Sequence, residues 1–376
     1  MKLSLKPHHL KRYKDIAMLF LKYGNSDLAK EFEHADAGDE KKPGPAKPGQ
    51  PAPEELADDL EKMGPTFIKF GQLLSSRADL LPEPYLKALA RLQDKVKPFP
   101  HAQVEEIIAS ELGIRLSKAF SRFEEKHLAA ASLGQVHRAA LRDGRPVVVK
   151  VQRPEIRKQI ADDFEVLEEI ADFFDEHTDI GRRYRFGKIL AEIKSSILQE
   201  LDYQREASNL TTLANNLKEF PHILVPLPVL DYSTRSVLTM DYVSGIKITA
   251  LSPIAQMDIH GDVLAEELFK AYLKQVLIDG FFHADPHPGN VFLTDDGRIA
   301  LLDLGMTGRL NSNMQENLLR LLLAISEGNG DEAVKIVLRI SETADDFDES
   351  EFTKKATEFV SEQRNQTLNR QDVAKP

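Results

Sequence analysis

His283, Asp285 and Asn290 stand in the pattern H-x-D-x-x-x-x-N, and Asp303 follows downstream with Leu304 and Gly305 behind it. Phosphoryl transfer asks for a carboxylate that orients the incoming nucleophile, and for an amide and a second carboxylate that hold magnesium against phosphates. Asp285 suits the first task; Asn290 and Asp303 suit the second. Pro286 and Pro288 stiffen the loop between them. A rival chemistry uses the same stretch, because His283, Asp285 and His287 are ligand types for zinc or iron.

Upstream context separates the two. Lys150 sits among Val147, Val148, Val149 and Val151, a β-branched run that reads as a strand. An ammonium in such a run is costly unless its charge is paired. Phosphoryl-transfer folds place a strand lysine on the nucleotide phosphates and pair it with a helix glutamate. Glu206, in the helical stretch QELDYQREASN, is the partner expected here. Val-x-Lys alone is a weak signal, since most such lysines face solvent. In order with the 283–290 loop and Asp303-Leu304-Gly305, it favours phosphoryl transfer over the metal trio.

Four strings then resemble one family, the UbiB family of atypical kinases, also called the AarF-type or ABC-one-type family. Lys69-Phe70-Gly71-Gln72 resembles its K-x-G-Q signature, and Ala129–His137 (AAASLGQVH) its alanine-rich loop. Glu200-Leu201-Asp202, continued by Glu206 and Asn209, resembles its E-x-D motif, and HADPHPGN its catalytic loop. The resemblance covers roughly residues 56–310. It implies an α+β, atypical protein-kinase-like two-lobed fold with an N-terminal helical extension.

The same resemblance implies ATP or ADP and magnesium as cofactors. Nucleotide contacts would come from Ala129, Ala130, Ala131, Ser132, Gly134, Gln135 and Lys150, and from Met240, Asp241 and Val243 at a hinge. Asp285, Lys150 and Glu206 become the catalytic group, and Asn290 and Asp303 the metal ligands. Lys69, Gln72, Glu200 and Asp202 form a regulatory group, with the KFGQ helix lying across the nucleotide site and Lys69 near the E-x-D acids. The implied function is a magnesium-dependent ATP-binding kinase or ATPase that supports ubiquinone or related isoprenoid-quinone and lipid metabolism. A lipid or isoprenoid-phenol ligand would accompany the nucleotide. Leu304 replaces the usual Phe of D-F-G, with little chemical consequence because the Asp holds the metal.

Two other functions compete. A non-catalytic, nucleotide-switched lipid- or enzyme-binding module is opposed by the intact Asp285, Asn290 and Asp303. A small-molecule kinase of the aminoglycoside or choline type is opposed by the KFGQ and AAAS strings. The strings also have plainer readings: tight strand packing for the alanines, close helix packing at Gly71. On an ideal helix Glu200 and Asp202 point about 200° apart, so they serve different partners or the helix is irregular there.

The elements that would position these groups follow from patterning. Pro65–Ser76 reads as a helix with Lys69 and Gln72 on one face. Residues 127–152 read as two strands around the Arg142–Arg145 turn, followed by helices at about 154–178 and 186–219. Strands at about 227–232 and 235–241 lead to a hinge at Met240–Gly245, and a helix covers about 260–279. VFLT and IALLD bracket the turn Asp295-Asp296-Gly297, and helix resumes near Asn311. That early helix leaves no room for a long protein-substrate platform. The expected parts are a basic amphipathic helix (1–33), a Pro/Gly-rich linker (34–55), a helical extension carrying KFGQ (56–120), an N-terminal lobe (121–243) and a C-terminal lobe (244–376).

Composition excludes other classes. With no cysteine there are no disulfides, thiolate nucleophiles or cysteine zinc sites. A net charge of -11 argues against nucleic acid as a partner. No apolar run approaches the ~20 residues of a membrane span. Residues 1–23 carry Lys2, Lys6, Lys11, Arg12, Lys14 and Lys22, with Leu10, Tyr13, Ala17, Phe20 and Leu21 between them. This helix has two readings: a peripheral contact with an anionic membrane, making the protein cytoplasmic and bound at the inner membrane surface, or a helix packed on the domain.

Overall fold

The structure is a computed structural model that describes residues 7–23, 51–78, 80–92, 97–251, 261–341, 343 and 347–373; for 7–9, 11, 20, 21, 180, 183 and 363–373 it describes the backbone. Most of the expected linker (34–50), Lys2 and Lys6, and the side chains of Lys11, Phe20 and Leu21 lie outside the described residues. The chain divides into two compact units, 1–208 with 226–242, and 209–225 with 243–376.

In the first unit, helices α1 (Pro7–Tyr23), α2 (Pro53–Met63), α3 (Pro65–Leu74) and α4 (Glu83–Ala90) precede α5 (His101–Leu112) and the single turn α6 (Leu116–Ala119). Helix α2 starts inside the expected linker. Pro53 has no amide to leave unsatisfied, and Glu54 and Glu55 sit at the positive end of the helix. Helix α1 packs by one face on the first unit. Ile16 and Tyr23 are buried, Arg12 ion-pairs with Asp163 at 2.6 Å, and Lys22 reaches Asp59 and Glu55 at 2.7 and 2.8 Å. Leu10 and Met18 face outward.

Strands β1 (Arg122–Ala130), β2 (Gly134–Ala140) and β3 (Pro146–Gln152) follow. This is one strand more than expected, because Arg122–His127 is polar and carries no alternation to read. The second unit supplies β4 (Ile223–Leu224), and the first resumes with β5 (Val237–Asp241). The four strands of the first unit pair antiparallel in the order β1-β2-β3-β5. Val147, Val149 and Val151 share one face and bury themselves with Val104 and Ile108 of α5. Alternation sends Lys150 to the other face. The expected strand at 227–232 is instead a 3₁₀ turn, Leu230–Tyr232, preceded by one bridge, Pro228 to Met240. Pro226 and Pro228 have no amide to donate to a ladder.

Helices α7 (Ile156–His177), α8 (Asp179–Tyr184), α9 (Phe186–Glu200) and α10 (Tyr203–Asn216) replace the two longer helices expected, with a break at Leu201–Asp202. Helices α1 to α4, α7 and α9 share a core that includes Phe67, Leu89, Ile160, Phe164 and Ile197.

The second unit takes over within α10, after Ser208, so 209–225 groups with it rather than with the N-terminal lobe. Local bonds explain this. Asn209 donates to the Leu304 carbonyl at 2.9 Å, Lys274 to the Asn216 carbonyl at 2.9 Å, and β4 pairs parallel with β9 (Ile299–Leu301). Strands β6 (Gly245–Lys247) and β8 (Val291–Thr294) complete the order β4-β9-β8-β6, and β7 (Phe281–His283) pairs with β10 (Thr307–Arg309). Helix α11 (Gly261–Lys274) runs into a π turn, Gln275–Asp279. Helices α12 (Ser312–Glu327), α13 (Gly330–Ile340) and α14 (Glu349–Val373) follow. Among the described residues no helix is long and apolar enough to cross a membrane.

Candidate active site

Lys150 leaves the face of β3 opposite the valine core and meets Glu206. Its Nζ lies 3.0 and 3.2 Å from the two carboxylate oxygens and 5.0 Å from the centre of the Tyr203 ring. Glu206 is 1% exposed and the Lys150 side chain 15%. Glu206 stands in the first turn of α10, where unpaired helix amides favour a negative charge. That turn exists because the chain breaks at Leu201–Asp202. The Asp202 carbonyl accepts the Glu206 N–H at 3.1 Å. Glu200 thereby ends one helix while Asp202 precedes the next, where its carboxylate accepts the Arg205 N–H at 3.4 Å.

Glu200 meets Lys69 at 2.7 Å, both side chains largely covered (16% and 12% exposed). Gln72 donates to the Leu92 carbonyl at 2.7 Å. At Gly71 α3 packs closely, and a Cβ there would press on the side-chain methyls of Leu92 and Leu60. This shows the close-packing role for the glycine of KFGQ.

The alanine-rich string is the end of β1 and a tight turn. Ala129 and Ala130 are the last residues of β1, and the Ala131 N–H closes back on the Gly134 carbonyl at 2.7 Å. Ser132 is buried. A Cβ on Gly134 would collide with the Val151 carbonyl and the Tyr203 hydroxyl. Gln135 is 2% exposed and its side-chain amide is engaged on both main-chain groups of Phe99, at 3.2 and 3.3 Å, and on His137 at 2.9 Å. At the hinge, Met240 is buried in β5. The Asp241 carboxylate is taken by Arg145 and by the Leu227 N–H at 3.2 Å. Those side chains are therefore engaged within the sheet. Val243, half-buried, begins the second unit.

The second unit builds the loop. His283 ends β7, and its Nδ1 accepts the Asp285 N–H at 3.4 Å. Asp285 is half-buried. Asn290 closes a 3₁₀ turn, and its carbonyl accepts the Leu302 N–H at 2.9 Å, which sets Asp303 beside it along the β8–β9 ladder. Asp303 has φ +58°, a left-handed conformation uncommon outside glycine. Its carboxylate accepts the Gly305 N–H at 3.3 Å, and Asn209, 4% exposed, anchors the next carbonyl, that of Leu304. The zinc or iron trio does not form: the described residues contain no group of three His, Asp or Glu side chains arranged to hold a metal.

Sequence reasoning missed Gln275. It is fully buried in the π turn, and its Oε1 accepts the His283 N–H at 3.0 Å, which holds the strand that delivers Asp285. The available signal was a glutamine opening an apolar stretch, QVLI, just before the loop.

Burial lowers His137 and His283 from the ordinary histidine value. Both are thus neutral when folded at a pH where the unfolded chain, titrating near 6.5, takes up protons. The unfolded state then binds more protons, so stability falls as pH drops through about 6.5 toward the lower folded values, by up to about 1.4 kcal/mol per pH unit for each histidine. Denaturant melts between pH 7 and 5.5 should show this loss, and His137→Gln should flatten the slope.

The comparisons agree with this architecture. The description "ABC1 atypical kinase-like domain" matches residues 91–337. The chain is 40% identical over 290 residues to "Protein ACTIVITY OF BC1 COMPLEX KINASE 8, chloroplastic" of Arabidopsis thaliana, covering 76% of this chain and 38% of that one. It is 40% identical over 269 residues to "Probable protein kinase UbiB" of Marinobacter nauticus, covering 70% and 49%. Against these two relatives the chain spans about half their length or less. A solved structure, the complex of Rv3197 with erythromycin from Mycobacterium tuberculosis, superposes with a TM-score of 0.52 at 25% identity, covering 78% of this chain and 74% of that one. With most of the chain inside one family description, this protein belongs to the ABC1 atypical kinase-like family, alongside proteins named UbiB.

Proposed function

We propose that the chain binds ATP with magnesium and acts as an ATPase or as a kinase for a small molecule or lipid, in support of ubiquinone or related isoprenoid-quinone metabolism. The observation that carries this reading is the Lys150–Glu206 pair. A buried ion pair is rarely worth its desolvation for stability alone. This one holds an ammonium whose side chain is still 15% open, and an ammonium has three donors to share with phosphate oxygens. In the second unit the Asn290 amide and the Asp303 carboxylate are hard oxygen donors of the kind magnesium takes. Bound there, magnesium would neutralise charge on the phosphates. Asp285 is the group to orient a hydroxyl or water. Residues 304–311 alone lie between Asp303 and α12, which favours a small acceptor over a docked protein. The quinone assignment rests on the four family strings and on relatives named UbiB.

Phosphate release by the purified chain tests the reading, with and without magnesium, anionic liposomes and phenolic quinone-precursor analogues. Nucleotide binding without turnover under every condition would favour the switch module. Lys69 gives a sharper check. Removing it takes away the Lys69–Glu200 ion pair, which should loosen α3 from α9 while the strand lysine keeps its partner. Lys69→Ala should therefore change transfer behaviour, raising autophosphorylation, with ATP affinity retained within about twofold. A loss of affinity equal to that of Lys150→Ala would make Lys69 a phosphate ligand instead.

A further inference from the structure

Three consecutive carbonyls of the alanine-rich turn converge on one residue, Arg153. Its main-chain N–H donates to the Leu133 carbonyl at 2.9 Å, its Nε to Ser132 at 3.3 Å, and its Nη2 to Ala131 at 3.4 Å. The same Nη2 donates to the Lys97 carbonyl at 3.0 Å, and the guanidinium lies 5.5 Å from the centre of the Phe99 ring. Phe99 is itself fixed, since Gln135 takes both its N–H and its carbonyl. The turn, the 97–99 segment and the end of β3 thus form one closed hydrogen-bonded frame, with the guanidinium at its centre.

The frame has a consequence for the turn's donors. A peptide unit is planar, with its C=O and N–H pointing in opposite directions. Carbonyls of Ala131 and Ser132 that are drawn toward Arg153 turn the N–H groups of Ser132 and Leu133 to the far side. Successive amides facing one way form an anion-binding concavity. We propose that Arg153 is a positioning residue for phosphate binding: it holds the turn so that these amides face the nucleotide phosphates, without touching the nucleotide itself. The inference rests on the nucleotide reading given above. A planar guanidinium is suited to this task, because its donors leave in fixed, diverging directions. A lysine ammonium in its place carries its donors on one atom and lacks the separate Nε donor that meets the Ser132 carbonyl.

The test compares Arg153→Met and Arg153→Lys with the wild-type full chain, using calorimetric affinities for magnesium–ATP and for adenosine, which lacks phosphates. Arg153→Met keeps a stem to pack on Phe99. It should weaken ATP at least about tenfold and adenosine less than twofold, with Arg153→Lys in between. Amide exchange at 131–134, measured without nucleotide, should quicken in the same order. Parallel loss of ATP and adenosine would mark a general structural defect, and unchanged ATP affinity would show that the clamp is irrelevant to phosphate. Either result overturns the proposal while leaving the nucleotide reading in place. A wild-type chain that binds adenosine but gains nothing from phosphates overturns both. If Arg153→Met fails to fold, the ratio of the two affinities in Arg153→Lys decides.

Discussion

Asp303→Asn is expected to remove magnesium-dependent nucleotide binding while leaving the fold intact. The substitution is chosen from the backbone. Asp303 has φ +58°, and asparagine is among the few side chains that tolerate this left-handed region. Its carbonyl oxygen can still accept the Gly305 N–H that the Asp303 carboxylate now accepts. Shape and turn are preserved, and only the charge is lost. Second-shell substitutions around a metal cost about 10–100-fold in affinity, and a direct ligand should cost at least the upper end of that range. Thermal stabilisation by ATP should then be the same with magnesium and with a chelator. Asp303→Ala would add about 1–2 kcal/mol of backbone strain and confuse the two effects. Wild-type magnesium dependence in Asp303→Asn would remove Asp303 from the metal site. Asn290→Ala, which deletes a neutral ligand, should show a smaller version of the same loss.

What the sequence makes legible is chemistry carried by short spacing. Lys150 is bracketed by valines, so its strand and the valine face behind it could be read directly, and the 283–303 hairpin announces itself through Asp296-Gly297. The misses have a common physical origin: they depend on where a side chain's hydrogen bonds go. Gln135 lies in a string that resembles a nucleotide loop, and that string gives no sign that strand alternation turns its side chain inward onto Phe99. Arg153 and Gln275 have no spacing relation to the groups they hold, because their partners are main-chain atoms across strands or turns. Strand β1 opens with polar Arg122–His127 at the sheet edge, where one partner suffices and no apolar alternation is needed. The break at Leu201–Asp202 falls in a stretch without proline or glycine. It is held by tertiary bonds, since the Leu201 carbonyl accepts from both Gln152 and Arg157. Only the angle between Glu200 and Asp202 hinted at it.

Lys150→Met should lose both stability and nucleotide binding, and a second substitution should restore only one of them. In the wild type Glu206 is 1% exposed and its charge is met by Lys150 at 3.0 Å. Methionine keeps most of the lysine stem against the strand but leaves that carboxylate buried without its cation. Removing one member of a buried pair costs about 3–5 kcal/mol. Glu206→Leu alone is expected to cost less, because the ammonium that loses this carboxylate is on a side chain 15% open to water and can shift toward solvent. In Lys150→Met/Glu206→Leu neither charge remains, and packed apolar groups replacing a buried pair are close to neutral for stability. The double variant should therefore regain most of what Lys150→Met lost in urea melts, a coupling of about 2 kcal/mol or more. Its magnesium–ATP affinity should stay as low as that of Lys150→Met, because the cation proposed to meet the phosphates is gone in both. If the double variant recovered binding along with stability, Lys150 would be a structural residue whose loss harms the site only by unfolding it. If it recovered neither, Glu206 would have an obligatory partner besides Lys150.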